Sequence, residues 1–513
     1  MKNSIGREIP QCVLDMGYRP YAGGGEPEPF KKTGPLVRPK NNSDSKVVAS
    51  IEKAIKLCGM RDGMTISFHH HFRDGDYVVN MVMEKIVEMG FKDITIAASS
   101  LGAAHDPVAE YIEMGIVTGL QTSGIRGRIG EAVSHGKLRT PAILRSHGGR
   151  VRAIENGEVH IDIAFIGAPT CDSQGNARGK GGKSDCGVLS YAMVDARHAD
   201  RVVVITDTLV EYPNFPPSIE AIDVDYVVVV DEIGNPKKIA SQAARMSQDP
   251  RDLLMASACA KVMAATDYFK DGFSFQTGAG GPSLAANRFI EPLLRQMDIK
   301  IKWIIGGISQ PAVELMQKGL VENIVDAQDF DVPSVQSVGE NPRHFEISTA
   351  QYASPSNKGA FVNQLDYVIL AALEIDVDFN VNVITGSDGI LRGAPGGHPD
   401  AAAGAKCTII VTPLMRGRMA TVCERVVTVT TPGDTVDVLV TDYGIAVNPR
   451  RPDLKKSLED AGMELVDINT LKDMAYAIVG RPDPLDFDER VVAIMEARDG
   501  TVLDVVRKTK SAK

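Results

Sequence analysis

The sequence predicts an α/β protein of two open, mostly parallel sheets behind an irregular N-terminal arm. Three observations carry this. Apolar runs such as Arg201–Thr206 (RVVVIT) and Tyr226–Val230 (YVVVV) suit strands of a sheet covered on both faces. Such runs alternate with helix-like segments, the pattern of βαβ units. The alternation pauses at a long helical stretch, Pro250 to Phe269, and then restarts. We therefore expect an arm over residues 1–45, a first α/β domain over 46–268 and a second over 269–513.

The arm is rich in turn formers. Gly23, Gly24, Gly25, Pro27, Pro29, Pro35 and Pro39 precede Asn41, Asn42, Ser43 and Asp44, which disfavours long regular elements. Lys46 to Leu57 has a helical phase through Val47, Ile51, Ala54 and Ile55. A strand follows at Met64–Phe68, an amphipathic helix at Tyr77–Met89 with Gly90 at its C-cap position, and a strand at Ile94–Ala98. Ile161–Ile166 joins the two apolar runs as a buried strand. Beyond residue 269, Phe273–Gln276 and Ile301–Ile305 read as strands around a helix, Ser283–Gln296. Glu374 to Ile384 (EIDVDFNVNVI) alternates strictly, apolar with polar, and predicts one long strand. Further strands are expected at Cys407–Thr412, Arg425–Thr430 and Val436–Val440. No repeat of 20–50 residues is visible.

Composition narrows the function classes. The 513 residues give roughly three domains' worth of chain. A net charge of −10 argues against a general nucleic-acid binder or a polybasic membrane-surface protein. No apolar run is long enough for a membrane span, and no secretory signal is visible at the N-terminus. The seven cysteines are scattered, without a CxxC pair. They read as reduced thiols of a cytoplasmic protein rather than a disulfide frame or a zinc site.

Three glycine loops are candidate chemistry. Thr277-Gly-Ala-Gly-Gly-Pro-Ser lies between a strand and a helix, a natural site for an anion or a thioester oxygen. Pro282 and the missing GxGxxG weigh against a nicotinamide cofactor. Gly393 to Asp400 (GAPGGHPD) and the cationic Gly179 to Lys183 are the other two. Glu374 opens the alternating strand, and a carboxylate can attack an activated acyl group, with glycine loops supplying oxyanion donors. His69, His70, His71 and Arg73 follow a strand, and we expect a cationic loop where open α/β sheets bind ligands. Arg73 is a natural carboxylate clamp. Three consecutive histidines do not project to one side and no HExxH occurs, so no metal site is expected. Ser146 to Arg150 (SHGGR) is a second loop of this kind, and no GxSxG elbow marks a serine hydrolase.

The order of motifs resembles the CoA-transferase and acetyl-CoA hydrolase superfamily. The pieces are the Thr277 loop, Ala372-Leu-Glu-Ile-Asp376, the Gly393 loop, Leu439-Val-Thr-Asp-Tyr-Gly-Ile-Ala446 and, in the first half, Val159 to Lys183. They span most of residues 60–450. GGHPDA stands where the family has a GGQxDF-like loop. Together with Tyr21-Ala-Gly-Gly-Gly-Glu-Pro, Phe68 to Asp76 and VTDYGIAVNPRRP, this is similar to one branch, the transferase subunits of citrate-cleaving lyases.

The resemblance implies two domains of CoA-transferase type and an enzyme that moves a carrier thioester from acetyl to citrate, releasing acetate. It implies a γ subunit, the acyl carrier, whose phosphoribosyl-dephospho-CoA group bears the thioester, so this chain would hold no cofactor. It implies a β subunit that cleaves the citryl thioester to oxaloacetate and acetyl thioester, and an oligomeric complex. It casts Glu374 as catalytic with Gly396 and Gly397. The matching glutamate of typical CoA-transferases is the nucleophile, whereas this branch is grouped with enzymes that form an acetyl-citrate anhydride directly; both routes stay open. Gly278, Gly280, Gly281, Gly393 and Asp400 would bind the thioester arm, with Gly280 and Gly281 also at the oxyanion site. Arg73, His147, Arg150, Lys183 and Arg392 are candidates for citrate's carboxylates by loop position. Arg416 with Arg418, or Arg450 with Arg451, could dock an acidic carrier. The alternatives are a CoA-transferase for another short acid such as citramalate, or a non-catalytic relative.

Overall fold

A computed structural model describes residues 1–36, 45–240 and 246–510. Pro39 and Asn41 to Asp44 of the expected arm lie outside these residues. Among the described residues, a ten-stranded sheet runs in the order Val47–Val48, Tyr226–Val229, Arg201–Thr206, Ile163–Ala168, Thr65–Phe68, Ile94–Ala98, Val117–Thr122, Ala142–Leu144, Phe487–Glu496, Val502–Thr509. Its pairings are parallel except the last, which is antiparallel. An eight-stranded sheet runs His344–Glu346, Val321–Asp329, Ile301–Ile308, Phe273–Thr277, Tyr367–Ala371, Cys407–Val411, Val438–Val440, Ile445–Val447. It too is parallel but for the final pair. The α/β class with open, mostly parallel sheets holds as the sequence predicts.

The first apolar run is buried as expected, with Val202, Val203, Val204 and Ile205 almost fully enclosed, whereas in the second only Val227 and Val228 are, and Val229 is exposed. The second sheet has a separate apolar cluster on each face. One includes Phe275, Ile290 and Leu294, the other Val368, Leu370 and Ile410. No helix among the described residues is long and apolar enough to cross a membrane.

Three secondary-structure expectations change. The helix expected from Lys46 starts as a strand, Val47–Val48, paired with Val227 and Val228. The helix proper is Ile51–Cys58, opened by Ser50, whose side chain accepts from Lys53 N.

Glu374 to Ile384 is not one strand but a tight hairpin, Glu374–Asp376 against Val381–Asn382. The Asp376 carboxylate accepts from the Asp378 and Asn380 amides, and Phe379 N bonds to Asp376 O at 2.8 Å. Phe379 takes φ 65° with its ring buried. Alternation survives the turn, so the pattern alone does not reveal it.

Arg425 to Thr430 joins no ladder. Two of its amides go to carboxylates instead, Val427 N to Glu374 Oε2 (3.1 Å) and Val429 N to Asp504 Oδ2 (2.8 Å), and Thr430 N goes to Val381 O (2.8 Å).

The span 269–513 does not form one sheet. Phe487–Glu496 pairs in parallel with Ala142–Leu144, and Val502–Thr509 closes that edge. The arm contributes one short helix, Gln11–Leu14. It straps over this return: Pro20 bridges to Val502, and Arg7 pairs with Asp504 at 2.6 Å while donating to the carbonyls of Val426 and Val427.

Candidate active site

Parallel strands of both sheets deliver their C-terminal ends to one cleft of about 440 Å³, where open α/β sheets bind ligands. The first half contributes His70 and Arg73 after strand Thr65–Phe68, Arg126 after Val117–Thr122, His147 after Ala142–Leu144, and Tyr191. The second half contributes Gln276 and Gly278, Gln328 and Phe330, Tyr352, and the turn Ala394 to His398.

The histidine run is not a cationic loop. Burial drives the pKa of His70 and His71 well below the ordinary value, with neighbouring imidazoles adding to the effect. The hydrogen bonds fix neutral tautomers. His69 Nε2 donates to Gly167 O (2.9 Å), so its Nδ1 accepts from His71 Nδ1 (2.7 Å). Ser99 Oγ accepts from the His70 amide (3.0 Å) and lies 2.6 Å from His70 Nδ1. The rings of His70, His147 and Tyr191 pack together, with centroids 4.6–5.8 Å apart. Burial lowers the pKa of His147 to about 3, helped by Arg150.

Ser146 to Arg150 is not a loop but the opening of helix His147–Glu155. Ser146 caps it, accepting from Gly149 N at 3.0 Å. His147 N donates to Gly396 O (2.8 Å), and Asp400 reaches across to the same turn. The two halves of the cleft are thus stitched at this point. Gly148 must be glycine here: an added Cβ would stand 2.1 Å from Ala353 O. His398 completes the second wall. Its Nε2 donates to Ala371 O (3.1 Å), so Nδ1 accepts from Thr431 Oγ1 (2.7 Å), and burial lowers its pKa to about 4.

Of the residues singled out from the sequence, Arg73, His147, Gly278, Gly396 and Gly397 line the cleft. Gly278 and Gly396 spend their amides on Ile369 O and Ser123 O. Gly397 N has no partner among the described residues. Gly280 and Gly281 open helix Gly281–Met297 beside the cleft without lining it. Gly393 packs under the turn, where a Cβ would meet Val383 O at 2.0 Å.

Glu374 lies outside the lining, its Oε2 accepting from Asn382 Nδ2 (3.0 Å) and Val427 N (3.1 Å). Arg150 is buried in a two-pronged pair with Asp195 (2.7 and 2.9 Å) and does not reach the cleft. Arg392 pairs with Asp388 at the surface, and Lys183 is exposed elsewhere. Asp400 is fully buried, and burial raises its pKa. Arg416, though exposed, donates to Ala372 O, and Arg451 is held by Asp437 and Asp453; Arg418 and Arg450 are both exposed.

Sequence reasoning missed Arg126, Tyr191, Gln276, Gln328, Tyr352 and the role of His398. Arg126 was within reach of the strand-end rule, had Val117–Thr122 been assigned as a strand. Tyr191 and Tyr352 lie on helices, and no sequence pattern points them at the cleft.

The family model described as "Citrate lyase, alpha subunit (CitF)" matches residues 44–509. The chain belongs to the citrate lyase alpha-subunit family. Members of this family are transferase subunits of a citrate lyase complex, and so is this chain. It is 50% identical to the citrate lyase alpha chain of Klebsiella pneumoniae over the full length of both chains. It is 51% identical to that of Escherichia coli K12, covering 91% of this chain and 92% of the relative. Among solved structures, a citrate lyase alpha subunit from Streptococcus mutans in complex with citrate superposes with a TM-score of 0.97 at 50% identity, covering 99% of this chain and all of that one. A malonate decarboxylase alpha subunit from Acinetobacter baumannii shares the fold, with a TM-score of 0.63 at 16% identity, covering 85% and 88%.

Proposed function

We propose that the inter-sheet cleft is where the acetyl group of a carrier thioester is exchanged for citryl. The observation that carries this is the lining: two glycine turns and Arg73 face one space at the strand ends, with Asp74 its single carboxylate among the described residues. A site so poor in carboxylates supports the direct route. One citrate carboxylate oxygen attacks the thioester carbonyl carbon, and the C–S bond breaks to give acetyl-citrate anhydride and thiolate. The thiolate then attacks the citryl carbonyl, the C–O bond breaks, and acetate leaves. No net proton is consumed. The free Gly397 amide suits the oxyanion of each tetrahedral step, a kind of contact worth about 3 kcal/mol where it forms only in the transition state.

On this reading the thioester arrives on the phosphoribosyl-dephospho-CoA arm of a γ carrier, bound as substrate over the Gly278 and Gly396 turns. A β subunit takes the citryl thioester onward within a larger oligomer. The free thiols of all seven cysteines suit a reducing compartment, the cytoplasm.

The test is mass spectrometry of the carrier thioester after mixing the full chain, acetyl-loaded carrier and citrate. A citryl thioester with matching acetate release is expected. Product only with another short acid would reassign the acceptor, and no product with any acid would end the reading.

A further inference from the structure

Buried and half-buried arginines in this chain are normally matched to carboxylates. Arg145 and Arg152 meet Glu496, Arg150 meets Asp195, and Arg201 meets Asp225. Half-buried Arg73 breaks the pattern, and Arg126, exposed on the same cleft, is likewise unpaired among the described residues. Neither Arg73 nor Arg126 forms a salt bridge with a described residue, although both face the same cavity. Asp74, the one carboxylate of the lining among the described residues, stands beyond salt-bridge distance of both.

Arg73 is also held in a costly state. It is a non-glycine residue at φ 51°, its Nε is buried without a partner, and its guanidinium lies 4.6 Å above the Phe330 ring contributed by the other sheet. Burial and the like charge of Arg126 both depress its pKa. Two uncompensated guanidinium groups side by side are unfavourable until an anion bearing more than one charge joins them.

Resting on the function proposed above, we infer that Arg73 and Arg126 form a clamp for a polycarboxylate, and that Arg126 sorts tricarboxylate acceptors from monocarboxylates. The chemistry fits in number. When one citrate carboxylate attacks the thioester, two remain, one for each arginine. Acetate has none left over, so a shared thioester site can favour the forward acceptor over the leaving acid. Phe330 fixes the position of Arg73. Arg126 stands exposed between strand Val117–Thr122 and helix Gly127–Ser134, where its side chain can be changed without disturbing the core.

The experiment uses the full chain with acetyl-loaded carrier and three acceptors: citrate, citramalate and isotope-labelled acetate. Arg126→Gln should lower kcat/KM for citrate by roughly 10- to 100-fold, the range for losing one hydrogen-bonded charge partner. Citramalate should fall less, and acetate exchange by under about threefold. Arg126→Lys should restore part of the citrate rate. In parallel, calorimetry of citrate and acetate binding to the same proteins needs no turnover. A common factor for all three acceptors, or citrate affinity equal in wild type and Arg126→Gln, overturns the clamp. Citrate affinity that collapses in the variant while wild type makes no citryl thioester keeps the clamp and removes the proposed reaction.

Discussion

Asp400 joins the two halves of the cleft through Ser146. Its Oδ1 accepts from Ser146 Oγ and its Oδ2 from Gly148 N, each at 2.8 Å, although the residues lie some 250 positions apart. The carboxylate sits in the first turn of helix His398–Gly404 and both donors at the opening of helix His147–Glu155. The same turn carries His147, whose amide holds Gly396. Removing the carboxylate strands two buried donors. Asp400→Ala should therefore cost about 2–4 kcal/mol in denaturant unfolding. Asp400→Asn should cost clearly less, because its amide oxygen can still face Gly148 N while its NH2 meets the hydroxyl. Equal losses for the two variants would show that the carboxylate is not bridging these donors.

Glu374 offers a sharper contrast. Its Oε2 receives two hydrogen bonds that lock the Glu374–Asn382 hairpin to the segment at Val427. A glutamine oxygen can accept both, whereas a glutamine cannot replace a nucleophile. Glu374→Gln should retain citryl thioester formation within about tenfold of wild type, with no borohydride-trappable acyl group on the chain. Glu374→Ala should lose stability, about 1–3 kcal/mol for the unmet donors. A fall beyond about a thousandfold in the glutamine variant, with normal stability, would restore Glu374 as the nucleophile.

What the sequence could reveal divides along physical lines. Runs such as RVVVIT identify themselves because a doubly covered parallel strand must be apolar throughout. Glycine turns at Gly278 and Gly396 were visible because their composition is itself unusual. The hairpin at Phe379 was not, since period-two alternation continues through a turn whose signal is one aspartate bonding forward to Asp378 and Asn380. Arg150 and Arg73 are equivalent in a list of loop-borne arginines. Only tertiary structure shows that Asp195 claims the first and that no carboxylate among the described residues pairs with the second. Strand Phe487–Glu496 was missed because its partner lies about 350 residues earlier, a pairing no local pattern encodes.

The neutral histidines make stability depend on pH. Burial places His147 at about 3, and His344 and His398 at about 4, against an ordinary value near 6.5. Between about pH 4 and 6.5 the unfolded chain takes up protons that the folded chain refuses. Stability from these residues is thus full above pH 6.5 and is lost as pH falls through that window. Asp326, raised to about 7 by burial, acts in the opposite sense, since the folded chain keeps its proton where the unfolded chain has lost it. Urea unfolding at steps from pH 4.5 to 7.5 checks both. His398→Gln, which can still donate to Ala371 O, should flatten the slope by at most about 1.4 kcal/mol per pH unit. Asp326→Asn should steepen it. Slopes parallel to wild type in both variants would refute the assignment.

The C-terminal return supplies the last test. Glu496 is fully buried and accepts from Arg145 Nε (2.9 Å) and Arg152 Nη2 (2.6 Å), so the final strands are tied by charge as well as by the ladder to Ala142–Leu144. Arg145 precedes Ser146, the cap of the helix that carries His147, so this pair also fixes one wall of the cleft. Glu496→Ala leaves two buried guanidinium groups short of a partner, although Glu158 and Gln121 retain part of their bonding. The expected loss is about 3 kcal/mol. Ending the chain after residue 486 should be worse. It uncovers the edge of Ala142–Leu144 and the apolar residues Ile9, Val13 and Ile143, which lose Ile494, Val502 and Val505 of the deleted strands, so the product should aggregate rather than unfold reversibly. A soluble truncated chain with wild-type unfolding would mean that the last two strands merely decorate the sheet.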